Sequence, residues 1–199
     1  MKKIIIYIMC VTAMTNVLVS CSDMLDTDST RQVFDPELNS KTDSVFYAYG
    51  IMQAIQELAD QYYYQNELRG ELVATTENTD DNLRALANYS ADTKNRYDSI
   101  YRYYKVINNC NYYLAHRDTA LYSGNVNVTI SEYASVLAFR AWAYLQAARM
   151  YGKIPYITEP LTTISQINSS DFAEKSLYEI AAAESEKLEA IKSRYGSVN

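Results

Sequence analysis

The sequence has few of the residues on which metal and nucleophilic sites depend. Its 199 residues include only 1 His and 3 Cys, which disfavours a zinc site of histidine and cysteine, a His-rich metal centre or a Ser-His-Asp triad. Only 5 Gly and 3 Pro are present, which excludes a collagen-like or low-complexity chain. With 48% hydrophobic and 21% charged residues, the composition is that of a globular domain.

Positive charge is also scarce. The chain has 18 Lys and Arg against 24 Asp and Glu, a formal net charge of −6. Such a surface repels phosphate backbones and argues against nucleic-acid binding. Tyrosine, in contrast, is abundant, with 20 Tyr against 4 Phe and 1 Trp. Because tyrosine joins an apolar ring to a hydroxyl, this excess indicates partly solvent-exposed surfaces as well as a core.

The N-terminal segment has the pattern of a secretory signal. Two lysines precede an apolar stretch over residues 4–19, which is shorter than the about 20 residues that a membrane-spanning helix needs. Leu18-Val19-Ser20-Cys21 resembles the bacterial lipobox, in which the cysteine is acylated and becomes the mature N-terminus. We therefore expect residues 1–20 to be a lipoprotein signal peptide and Cys21 to be the lipid anchor. A plain signal peptide followed by a chance cysteine is the alternative.

Cys110 is then the only unmodified cysteine of the mature chain, because Cys10 leaves with the signal. No intrachain disulfide is possible with one thiol. Cys110 lies in an apolar helical stretch, which predicts a buried, unreactive side chain.

The mature chain changes character near residue 43. Residues 21–42 carry several Asp residues and no periodicity, which predicts an extended acidic leader. From Ser44 an apolar stripe indicates a helix to about Tyr62, with capping oxygens from Thr42 and Asp43. A short helix around Leu68, Leu72 and Val73 and a loop over the polar run 75–82 are expected to follow.

Three further helices are predicted. One runs over about 96–115 and is followed by a loop through Asn125. The next starts at a capping box in Thr129-Ile130-Ser131-Glu132 and runs to about Tyr151, with Gly152 as a left-handed C-cap. Residues 154–163 are expected to be an extended crossing segment. The last helix, over about 173–192, is capped by Asp171 with Glu174 three residues on. The fold class predicted for residues 43–199 is all-α, with antiparallel helix pairs of tetratricopeptide-like type and long irregular loops.

Three stretches of the sequence together resemble the SusD/RagB family. Arg140-Ala141-x-x-Tyr144 running into Tyr151-Gly152-x-x-Pro155 is similar to the family's RA-x-x-Y-x-x-L helix and Tyr-Gly-x-x-Pro turn. Tyr104-x-x-Ile107-x-x-x-Asn111 matches its Tyr-x-x-Ile-x-x-x-Asn helix. The run from Cys21 to Asp26 resembles the mature start of the same lipoproteins.

The resemblance implies a lipid-anchored outer-membrane protein of Bacteroidota-type bacteria, exposed at the cell surface. It implies capture of glycans or other nutrients without catalysis or a cofactor, and transfer to a SusC-like TonB-dependent transporter. Family members usually run to about twice this length or more, so residues 43–199 are expected to correspond to their N-terminal half. A truncated docking protein without strong ligand binding and a surface glycoside hydrolase are the alternatives.

The polar run and the aromatic residue after it are the candidate sugar contacts, at Asn78, Asp80, Asp81, Asn82 and Tyr89. Sugars pair with carboxylate and amide groups and stack their C–H faces on aromatic rings, and the resemblance supports the location. The alternative is a solvated loop whose side chains cap their own backbone. Asp80-Asp81-Asn82 lacks the spacing and glycine of a calcium-binding EF-hand loop, so no metal site is assigned.

Two expectations concern side chains elsewhere. Tyrosines cluster at 62–64, 101–104 and 112–113. Since consecutive residues cannot share a helix face, these clusters predict core and contact surface together. Arg140 and Arg149 are expected to form ion pairs or to support a helix C-terminus, and not to bind substrate.

Overall fold

The computed structural model describes residues 41–70, 72–117, 122–123, 126–127, 130–169 and 171–195, all within the compact unit Glu37–Asn199. The predicted signal peptide, Cys21 and residues 22–40 of the leader lie outside these residues. The described helices are α1 Lys41–Glu67, α2 Asp81–Ala87, α3 Ile100–His116, α4 Ile130–Tyr151, α5 Ile164–Ser169 and α6 Leu177–Tyr195. The strands are β1 Tyr122–Ser123, β2 Val126–Asn127, β3 Ile154–Pro155 and β4 Glu174–Lys175. The prediction of an α-helical fold is therefore confirmed.

The four long helices pack in the order α1, α3, α4, α6. Tyr47 of α1 stacks on Tyr112 of α3, while Gln65 near the end of α1 bonds to Asp98 just before α3, so these two helices are antiparallel. Each following pair is antiparallel as well. The core lies between α1, α3 and α4 and includes fully buried Tyr103 and Tyr144. Within the described ranges, no helix combines the length and apolarity that would let it cross a membrane.

The first helix is longer than predicted at both ends. It begins at Lys41 and ends at Glu67, so Thr42 and Asp43 lie in its first turn instead of capping it. At the other end, Gln61 and Gln65 continue the buried face of Leu58, which carries the helix past Tyr62.

The segment after α1 corrects two predictions. Residues 68–70 form a turn and residues 72–73 a bend, so the expected short helix is absent from these positions; Gly70 lowers helix propensity there. Residues 75–80 form the predicted loop, but Asp81 and Asn82 belong to α2. Asp80 caps this helix by accepting hydrogen bonds from the amides of Asn82 and Leu83.

The third helix begins later than predicted, at Ile100. Asn95 holds the preceding residues in a turn, since its Oδ1 accepts from the amide of Tyr97 and its carbonyl accepts from the amide of Asp98. In the predicted loop after α3, β1 and β2 form a two-residue antiparallel pair.

The end of α4 agrees with the sequence prediction. Gly152 has φ +81°, and its amide donates to Ala148 O at 3.0 Å, which is a left-handed C-cap. A Cβ at Gly152 would meet no heavy atom within 4 Å, so the requirement for glycine is conformational. The Thr129 half of the predicted capping box lies outside the described residues.

The last helix is capped by a different residue from the one predicted. The Ser176 hydroxyl and amide both donate to the Glu179 carboxylate, and the Glu179 amide donates to Ser176 Oγ, which is a reciprocal capping box. α6 therefore starts at Leu177, and Glu174 instead pairs with Pro155 between β4 and β3. The prediction that Asp171 caps a helix from 173 is wrong, because the pairing of β4 with β3 holds 174–175 extended. The short α5 lies within 164–169, just after the predicted crossing segment.

Candidate functional site

The residues that carry the family resemblance hold one irregular backbone segment, residues 156–161. Asn108 Nδ2 donates to Leu161 O at 2.9 Å, and Leu161 N donates to Asn108 Oδ1 at 2.8 Å. Asn111 Nδ2 donates to Ile157 O at 2.9 Å. Side chains of α3 thus supply the hydrogen bonds that a sheet would otherwise give this backbone.

The tyrosines of the same stretches bind this segment and Pro155, the residue just before it. Tyr144 OH donates to Ile157 O at 2.6 Å, and Ile157 N donates to Tyr144 OH at 2.8 Å. Tyr104 OH donates to Pro155 O. Burial raises the pKa of both phenols, so they stay protonated and able to donate.

A buried ion pair links α4 to α6. Arg140 Nη2 lies 3.1 Å from Glu184 Oε1, with the two side chains 3% and 2% exposed. Arg140 Nη1 donates to Asn111 Oδ1 at 3.1 Å, and Tyr156 OH donates to the Glu184 carboxylate. The prediction that Arg140 forms an ion pair is confirmed. Arg149 instead donates hydrogen bonds to Gln146 and Asn66.

A second buried polar cluster was not predicted from the sequence. Gln65 Nε2 donates to Asp98 Oδ1 at 2.9 Å, Tyr151 OH donates to the same oxygen at 2.9 Å, and Tyr103 OH donates to Gln65 Oε1 at 2.9 Å. The sequence contained part of the information needed to find this cluster, because Gln65 lies seven residues after Leu58 on the apolar face of α1. Its partners are remote in the sequence, so the pattern alone did not identify them.

The tyrosine clusters divide as predicted. Tyr103 and Tyr113 are fully buried, whereas Tyr63 and Tyr101 are exposed. Cys110 is also fully buried, and this burial raises the pKa of its thiol to about 12. The interpretation of Cys110 as a small core residue is thereby confirmed.

Two of the five candidate sugar contacts, Asp80 and Asn82, form hydrogen bonds that stabilise the conformation of their own loop. Besides capping α2, Asp80 forms a salt bridge of 3.1 Å with Arg96. Partial burial raises the pKa of Asp80, but the amides of Asn82 and Leu83 and the Arg96 charge together outweigh this and lower it. Asn82 Oδ1 accepts from Arg96 N at 3.3 Å.

The other three candidates are exposed to solvent. Asn78 lies in the loop and Asp81 in the first turn of α2. Tyr89 follows the end of α2 and is 72% exposed. A helix rises about 1.5 Å per residue, so the length of α2, roughly 10 Å, separates Tyr89 from the acidic residues. The structure therefore brings Asp80, Asp81 and Asn82 together and leaves Tyr89 apart.

Tyr89 has an unusual backbone and an arginine neighbour. Its φ is 56°, the one positive value for a non-glycine residue within the described ranges. Arg69, in the turn after α1, places its Cζ 5.2 Å from the centroid of the Tyr89 ring, within the range of a cation–π contact. Arg69 Nε is buried and has no hydrogen-bond partner among the residues that the structure describes.

A broad groove of about 630 Å³ lies between α3 and the segment from β3 to Phe172. Tyr101 stands at its edge, 70% exposed. The amides of Asn108 and Asn111 line it but already bind the 156–161 backbone. Lys105 is paired with Glu57. The groove therefore presents mainly aliphatic and aromatic surface.

Comparisons with protein-family models, with curated protein sequences and with solved structures found no match for this chain. Among the described residues, no three His, Cys, Asp or Glu side chains form a group able to hold a metal ion.

Proposed function

We propose that the chain is a surface lipoprotein of a SusD/RagB-like kind, which captures glycans or other nutrients without catalysis and passes them to a SusC-like TonB-dependent transporter. In this proposal Cys21 anchors it to the outer membrane, and the antiparallel helices are tetratricopeptide-like pairs. What supports the proposal is that two stretches of the resemblance, distant in sequence, act on one backbone segment. Tyr104 and Asn111 of α3 and Tyr144 of α4 all bind residues 155–157.

Within this scaffold, Tyr89 is the favoured ligand contact. It is a solvent-exposed ring just after α2, whereas Asn78 and Asp81 are exposed polar groups before and at the start of that helix. Asp80 and Asn82 contribute by holding the loop. The groove beside α3 is a weaker candidate for sugars, because its amides are already occupied and sugars need polar partners as well as a stacking face.

Ligand capture is tested by titrating the purified full chain with starch, xylan and pectic oligosaccharides. Tyr89→Ala is expected to weaken binding, because the stacking face is removed. Tyr178→Ala is the matched control, since this tyrosine is 84% exposed on α6, away from the loop. Equal binding by the Tyr89→Ala variant and the wild type would contradict the site assignment, and release of shorter products from any glycan would instead indicate a hydrolase.

Anchoring is tested by cell fractionation and intact mass in a bacterium that processes lipoproteins. Cys21→Ser is expected to lose the acyl mass and leave the outer-membrane fraction. Cys10→Ser, a change within the predicted signal, should behave as the wild type. Retention of the Cys21→Ser variant in the outer membrane would contradict the lipid anchor.

The docking alternative has one observation in its favour. Residues 44–56 of α1 carry no charged side chain, and Phe46, Tyr49 and Met52 among them are 67%, 67% and 52% exposed. Such an apolar face is typical of an interaction surface. If Phe46→Ser abolishes co-purification with a transporter while the full chain binds no glycan, the docking function is favoured over capture.

A further inference from the structure

Arg69 is a cation without a counter-charge in the described part of the chain. Its guanidinium forms no salt bridge or hydrogen bond with a described residue, and its Nε is buried without an acceptor. Buried polar groups nearly always have a partner, so the guanidinium keeps unused hydrogen-bonding capacity that a water, an ion or a ligand can take up. Arg69 as a whole is only half-buried, so an acidic group can approach its terminal nitrogens from solvent.

The neighbour of this guanidinium is an open aromatic ring. Arg69 lies over the Tyr89 ring at 5.2 Å, yet Tyr89 remains 72% exposed, so the opposite face of the ring is open. The left-handed backbone at Tyr89, with φ 56°, ends α2 in a Schellman motif, because Ser90 N donates to Ala85 O and Tyr89 N donates to Leu86 O.

From these two residues we infer that Arg69 and Tyr89 form a binding site for an acidic saccharide, such as a uronic-acid oligomer. One sugar ring stacks on the open face of Tyr89, and the carboxylate of a neighbouring ring reaches the terminal nitrogens of Arg69 around the ring edge. Guanidinium and carboxylate match in a two-point, charge-assisted hydrogen bond. The inference rests on the proposed capture function and adds the charge of the ligand to it.

The chain as a whole is acidic, with a net charge of −6, so long polyanions are repelled at low salt. At physiological ionic strength charges are screened beyond about 8 Å. Short acidic oligomers at that ionic strength are therefore the appropriate probe.

The experiment measures the affinity of the full chain for a short polygalacturonate oligomer and for its methyl ester, which keeps the rings and removes the charge. The wild type is expected to bind the acid more tightly than the ester. Arg69→Ala should lower affinity for the acid by about tenfold or more and leave the ester unaffected, and Arg69→Lys should restore part of the loss. Tyr89→Ala should weaken binding of both probes.

Two controls accompany these variants. Arg102→Ala removes a guanidinium from α3 that donates to Glu57 O, and Tyr178→Ala removes an exposed ring from α6; neither should alter affinity. Equal affinity of the wild type for acid and ester, or an Arg69→Ala variant that binds the acid normally, overturns the inference while capture of neutral glycans stands. If the wild type binds a short polyglutamate peptide as tightly as the polygalacturonate oligomer, the assignment of a saccharide as the ligand is overturned. If the wild type binds no saccharide at all, the proposed capture function fails with it.

Discussion

The two buried glutamines of α1, Gln61 and Gln65, find hydrogen-bond partners inside the fold. Gln65 is 1% exposed, but its amide donates to Asp98 and to Tyr151, and its carbonyl accepts from Tyr103. A buried amide without such partners would cost about 1–3 kcal/mol. Residues of this kind therefore fix the position of α1 against α3 and α4, in addition to filling space.

The backbone of Tyr89 provides a prediction at the scale of one residue. Tyr89→Gly is expected to be more stable than Tyr89→Ala by about 1 kcal/mol, because both variants lack the ring but only glycine is unstrained at φ 56°. Urea denaturation of the two variants measures the difference. If alanine proves as stable as glycine, the left-handed conformation at this position is contradicted.

At the scale of secondary-structure elements, contacts between helices determine how the helices are arranged. β3 and β4 lie at the ends of the connection between α4 and α6, and their two-residue pairing brings the start of α6 back to the end of α4. The Arg140–Glu184 pair joins the same two helices nearer their middles. One short strand pair and one buried ion pair thus join α4 and α6, in addition to the apolar packing of Ile180 in the core.

The ion pair predicts a strongly non-additive double-mutant cycle. Arg140→Met or Glu184→Leu alone is expected to destabilise the fold by about 3–5 kcal/mol, because each leaves a buried charge without its partner. The double variant should lose much less stability than the two single variants lose together, since no charge is then buried. Urea denaturation of all four proteins measures the coupling. Additive losses would contradict a direct buried pair.

For the whole molecule, the many buried phenols predict sensitivity to alkali. Burial is the largest cause of a raised pKa in Tyr103, Tyr113 and Tyr151, and it raises the pKa of Tyr103 to about 12. A tyrosine in the unfolded chain has a pKa of about 10. Since the folded pKa is the higher, the stabilisation is complete below about pH 10 and is lost as pH rises through the folded pKa.

We therefore expect the free energy of unfolding to fall steadily above about pH 10. The pH dependence should be weaker in Tyr103→Phe, which removes one of the phenols. Urea denaturation at several pH values measures the slope, and tyrosinate absorbance should rise abruptly on unfolding. Complete tyrosine ionisation near pH 10 in a still-folded protein would contradict the burial of these rings.

The candidate site was only partly predictable. The polar run before Asp81 correctly indicated a loop with competing side-chain hydrogen bonds, and Tyr89 is exposed as a contact residue must be. The meeting of Arg69 with Tyr89 was not predictable, because it depends on how the turn after α1 and the end of α2 approach each other. The hydrophobic periodicity of the sequence carries no information about this tertiary contact.

The sequence by itself determined the helical class, the positions of the long helices, the glycine that ends α4 and the burial of Cys110, because periodicity, left-handed preference and apolarity act within a few residues of the chain. Only the tertiary structure decided that Ser176 caps α6, that Glu174 joins a strand and that Arg140 pairs with Glu184. The local sequence offers two capping motifs, at Asp171 and at Ser176, and does not show which residue lies opposite Arg140. The pairing of β3 with β4 and the packing of α4 against α6 decide these points, and both join residues remote in the sequence.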